Sequence, residues 1–76
     1  MAASETYRWR KNTDINREYA LFELLDGEAP VLDVGFSDDE IFEVAFNPGI
    51  GGRVMEMVQL LKLLDEGRAL AERDRY

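Results

Sequence analysis

Gly49, Gly51 and Gly52 follow the apolar segment ending at Phe46 and precede Arg53 and a long amphipathic stretch. Glycine-rich turns that open a helix are places where backbone N–H groups cradle phosphates. A phosphate-binding loop needs G-x-x-x-x-G-K-[ST] and a dinucleotide fingerprint needs G-x-G-x-x-G. The segment FNPGIGGRV, residues 46–54, matches neither. Asn47-Pro48-Gly49 reads instead as a bend that ends a strand and turns the chain toward a helix.

Carboxylates are the other candidates for chemistry. Glu23, Asp33 and Glu43 fall on one face when the central strands are paired, where they could hold a divalent cation or work as an acid/base pair. Like charges side by side in a sheet repel, so compensation is expected from Arg8 and Arg10 on the first strand. The segment SDDE, residues 37–40, lacks the D-x-[DN]-x-[DN]-G pattern of a calcium loop and reads as a solvated turn. Asp38, Asp39 and Glu40 add to the acidic surface there. Ser4 and Ser37 have no activating partner, because the chain contains neither histidine nor cysteine. Disulfides, thiolate zinc sites and histidine-based proton transfer are excluded on that ground. The sequence leads to no enzyme and no cofactor.

Tyr7 and Trp9 alternate with Arg8, Arg10 and Lys11, a pattern that can stack nucleic-acid bases. The charge distribution points away from that partner. Residues 1–17 carry a net +2, residues 18–43 a net −9, and residues 44–76 balance, giving −7 overall. A centre of that sign repels a phosphate backbone and suits a basic protein. Tyr7 and Trp9 are therefore assigned to packing. No run approaches the ~20 apolar residues of a membrane span, and MAASETYRWRKN lacks the core of a signal peptide, so a cytoplasmic protein is expected.

The elements that would position these side chains follow from periodicity. Strands are expected over roughly 5–11, 17–25, 31–36 and 41–46, with period-2 alternation clearest in Leu32/Val34/Phe36 and Phe42/Val44/Phe46. The stretch 17–25 could also form a helix between an Asp14 cap and a Gly27 stop, and strand is preferred. A helix is expected over roughly 53–72, with Val54, Met57, Val58, Leu61 and Leu64 on its core-facing stripe. Met55, Leu63 and Leu70 fall outside that stripe, and Gly67 weakens the helix.

Pairing about Asp26-Gly27 sets Phe22 against Val34 and Leu24 against Leu32. Centring the next turn on position 38 sets Val34 against Phe42 and Leu32 against Val44. For the first strand, an odd register places Tyr7 and Trp9 in the core and the arginines among the carboxylates. An even register would bury two guanidinium groups, so the odd one is preferred.

The fold class is α+β, in two layers: a three- or four-stranded antiparallel β-meander covered on one face by a single C-terminal helix. The whole chain forms one domain. At 76 residues it buries roughly 60% of its unfolded surface and stays marginally stable without a partner. Tyr19, Leu21, Leu25, Val31 and Ile41 would lie on the uncovered sheet face and form the interface of a homodimer. The functional expectation is a small non-enzymatic protein-interaction domain with an acidic surface for a basic protein, as in an immunity or antitoxin-like inhibitor. The alternative is a divalent-cation-binding protein or enzyme using Glu23, Asp33 and Glu43.

Overall fold

The computed structural model describes residues 6–75, so Ser4 and the first residue of the expected opening strand, Glu5, lie outside it. Four strands, β1 (Tyr7–Asn12), β2 (Leu21–Asp26), β3 (Ala29–Phe36) and β4 (Phe42–Phe46), form an antiparallel meander in the order β1-β2-β3-β4. A 3₁₀ turn, Pro48–Ile50, leads to the C-terminal helix α1 (Met57–Arg75). The helix packs on β3 and β2. This is the expected two-layer α+β domain with a four-stranded sheet, and residues 21–26 are strand rather than helix.

Turn chemistry sets the registers. Asp26 pairs with Ala29 across a two-residue hairpin, and Gly27 takes φ +63 at its first central position, where a type II′ turn favours glycine. Continued unbroken, that turn would set Phe22 opposite Asp33; the predicted pairs, Phe22 with Val34 and Leu24 with Leu32, are reached only through a one-residue slip. Between Leu24 and Leu25 the register slips, leaving Val31 as an extra residue on β3. The bulge breaks the alternation of faces, and Val31 joins the core beside Leu32.

The second hairpin differs from expectation. Val34 pairs with Val44 and Phe36 with Phe42, two residues away from the predicted register. The loop is centred on Asp39, not on position 38. Ser37 and Ile41 close it, the Ser37 hydroxyl accepts from the Asp39 and Ile41 amides, and Glu40 occupies the left-handed region at φ +66. A shift of two keeps every side chain on its predicted face.

β1 pairs with β2 in the odd register, Trp9 opposite Leu24 and Arg10 opposite Glu23. Tyr7 and Trp9 accordingly pack against the core, while Arg8, Arg10 and Lys11 are exposed.

The helix is where the sequence reading fails. Its buried residues are Leu63, Gly67 and Ala71, with Leu60, Leu64 and Leu70 packed beside them. Of the predicted stripe only Leu64 touches the core, whereas Val54, Met57, Val58 and Leu61 face outward. At ~100° per residue the helix is turned by about one residue's worth from the predicted orientation. The cause is Trp9. A Cβ on Gly67 would stand 2.7 Å from Trp9 Cη2 and 2.9 Å from Val34 Cγ2, so the indole and the sheet sit against bare helix backbone. Glycine at this position permits the close approach and fixes which side of the helix meets the sheet. The helix also begins at Met57 rather than 53, after a segment in which Met55 packs against the core.

Candidate functional site

The uncovered sheet face carries the carboxylates. Arg10 donates from both Nε (3.1 Å) and Nη2 to a single oxygen of Glu23, so the odd register brings a cation to the row. Arg8 instead reaches Glu28, 3.4 Å away and solvent-exposed. Glu23 lies directly opposite Asp33, but Glu43 has left the row: it pairs with Gly35, and Ala45 stands opposite Asp33. Among the described residues no group of three His, Cys, Asp or Glu side chains is spaced to hold a metal ion.

Burial first, and the Glu23 charge second, push the Asp33 carboxyl above its ordinary value of 3.8. Because the folded protein holds this proton more tightly than the unfolded chain, the group's contribution to stability rises as pH falls through its folded pKa. That contribution levels off below 3.8. Asp33→Asn should therefore melt at a higher temperature than the parent at pH 7, with the difference shrinking on acidification. Melting curves at both ends of the range check this, and a variant less stable at pH 7 would contradict it.

The glycine segment is a bend. The Asn47 side chain accepts from the Gly49 amide at 2.8 Å, its carbonyl accepts from Ile50, and Gly52 adopts φ +85. Arg53, the cation that could have served an anion here, donates to Asp26 at 2.9 Å and to the Tyr7 hydroxyl at 3.4 Å. Asp26 also accepts from the Thr6 hydroxyl at 2.5 Å. The Thr6 bond and then the Arg53 bond hold the Asp26 carboxyl below its usual range. This cluster ties the start of β1 and the first hairpin to the segment before the helix.

Asp38, Asp39 and Glu40 crown the opposite end of the sheet. Asp38 accepts from the Glu18 amide, which joins this loop to the 14–18 segment and gathers Asp14, Glu18, Asp38, Asp39 and Glu40 at one end. Arg75 anchors that end to the helix, lying 4.1 Å from the Phe36 ring centroid and 3.7 Å from Glu40.

The expected apolar interface does not assemble. Leu25 and Val31 are 1% and 0% exposed, the second because of the bulge. Tyr19 precedes β2 and packs edge-on to Phe36, on the core side. Leu21 is half-buried and lies across Gly35, which leaves Ile41 as the one strongly exposed member of the set.

The spare apolar surface lies elsewhere, on the β4 side of the molecule. Phe46, Met57, Val58 and Leu61 are 63%, 70%, 76% and 55% exposed. Met57, Leu61, Leu64 and Arg68 recur at the i, i+4, i+7, i+11 spacing of one helix flank. The Arg68 guanidinium lies 5.7 Å from the Phe42 ring centroid, so that flank faces β4. A cavity of about 260 Å³ opens at the Phe46 end, between Phe46, Ile50, Met55 and Leu60.

A stripe at helical spacing does not by itself say which way a helix turns when its apolar surface is wide. Gly67 and Ala71, four residues apart, were the available signal, because small residues mark where helix backbone meets a sheet. The chain matches no protein-family model, no curated protein and no solved structure.

Proposed function

We propose that this protein is a small non-enzymatic interaction domain that self-associates through its β4-side apolar surface and presents its acidic end to a basic protein. The observation that carries the reading is the exposure of Phe46, Met57 and Leu61 together on one side of a domain with a small core. Contiguous apolar surface of this kind marks association sites in soluble proteins. The acidic end is separate from it: Asp38, Asp39 and Glu40 lie in the loop between β3 and β4, whereas Phe46 closes β4 at its far end. A neutralising inhibitor that covers a basic surface is one form such a domain takes.

Sedimentation equilibrium at micromolar concentration should give about twice the protomer mass. Leu61→Glu, at an exposed helix position, should weaken association at least tenfold without unfolding the chain. A folded species of protomer mass across that range would count against self-association. For the second surface, a partner captured from the producing cells should be basic, should elute as salt screens the charge, and should be lost with D38N/D39N/E40Q. Retention by the triple variant would place the contact elsewhere.

A further inference from the structure

Resting on the self-association reading, we propose that the partner at the apolar surface is a second copy, joined edge to edge through β4 on a two-fold axis at Val44. Among the described residues the sheet has two free edges of opposite character. β1 presents Arg8, Arg10 and Lys11, the charged side chains that block strand addition, whereas Glu43 is the single charge on β4 (FEVAF). The direction of the β4 backbone follows from the hydrogen bonds that bracket it. Ser37 donates to Ile41, and Asn47 donates to Val31, both in the register of the β3–β4 pair. Alternation then turns the polar groups of residues 43 and 45 toward β3 and those of Phe42, Val44 and Phe46 outward.

The sequence of β4 is symmetric in character about Val44, with Phe42 and Phe46 at its ends and Glu43 and Ala45 between. Antiparallel pairing centred on Val44 uses all five residues, lets the outward groups of Phe42, Val44 and Phe46 bond across the axis, and sets Glu43 opposite the partner's Ala45. Centring on Glu43 would oppose two carboxylates directly. Centring on Ala45 would lose the Phe42 bonds.

The helix lies over β3 and β2, so Phe42, Val44 and Phe46 occupy a trough beside it rather than beneath it. Two-fold pairing closes this trough against its counterpart, with Met57 and Leu61 lining both walls. A fully withdrawn apolar side chain of this size accounts for about 60–120 Å². Phe42 and Val44 are already half-buried, so these five side chains withdraw less than about 600 Å² per partner, and with the β4 backbone the pairing lies at the lower end of the standard interface size. The pairing would join two four-stranded sheets into one of eight strands.

Val44→Pro and a charge pair at position 45 test this. The Val44 amide points away from β3, so proline there leaves the protomer ladder intact and blocks only addition to the edge. The parent protein should sediment as a dimer, and V44P as a monomer with unchanged far-UV circular dichroism. Ala45→Lys should tighten dimerisation and Ala45→Glu should weaken it, each about tenfold at low salt, because position 45 faces the partner's Glu43. A dimer that survives V44P but is lost in Leu61→Glu would overturn edge pairing while leaving self-association standing. A folded parent monomer would overturn both. If V44P fails to fold, the position-45 pair decides: equal effects of Lys and Glu would sink the Val44-centred pairing, and opposite effects would sustain it.

Discussion

Gly67→Leu is expected to lose about 3 kcal/mol or more of stability, although leucine is the better helix former by about 1 kcal/mol. The reversal of sign comes from the sheet. A single added carbon would already sit 2.7 and 2.8 Å from two Trp9 ring atoms and 2.9 Å from Val34, in the middle of the core. The indole could swing outward only by uncovering Leu24, its partner across the strands, and Val34 has no room to move. Ala69→Leu, two positions away on the exposed side, should change stability by no more than ~0.5 kcal/mol. Urea titrations of both variants check the contrast, and a G67L protein as stable as its parent would show that the helix can shift away from the indole.

Phe22→Ala should cost about 3–5 kcal/mol. Phe22 is buried near the start of β2, paired with Val34 of β3 on one side and Lys11 of β1 on the other, so the flanking strands hold the vacated space open. A chain this short has only a few kcal/mol in total to lose. The variant should therefore be largely unfolded at 25 °C by circular dichroism. Glu56→Ala, exposed before the first helical turn, should be close to neutral. Phe42→Ala should fall between them, because Phe42 is half-buried on the edge strand. A cooperative, parent-like melt for Phe22→Ala would mean that the core lies elsewhere.

The parts of the fold that were legible were those fixed by alternation and by charge. Period-2 patterning identified the inner face, and the cost of burying Arg8 and Arg10 selected the odd register of β1, which places Arg10 on Glu23. What stayed hidden depended on backbone geometry that residue types do not announce. Left-handed φ is usually marked by glycine or asparagine, but here Glu40 adopts it, so nothing in SDDE placed the hairpin centre at Asp39. The bulge at Val31, beside Pro30, broke the alternation assumed for β3 and removed Val31 from the expected interface. The helix orientation was missed for a different reason. Leucines and methionines surround most of α1, and only the small residues Gly67 and Ala71 distinguish the face that meets the sheet. The candidate site consequently moved from the uncovered sheet face to the opposite flank.

The charged edge formed by β1 has a bearing on how far this protein can assemble. A sheet with two receptive edges has no natural stopping point: each added copy exposes a fresh edge, and growth continues toward a fibril. In the proposed pairing one edge receives a strand and the other, lined by Arg8, Arg10 and Lys11, repels its own kind. Whatever strand β4 accepts, an identical chain joining there leaves only cationic ends outside. In that pairing, strand-by-strand polymerisation would end at the same edge from which Arg10 neutralises Glu23 on the sheet face.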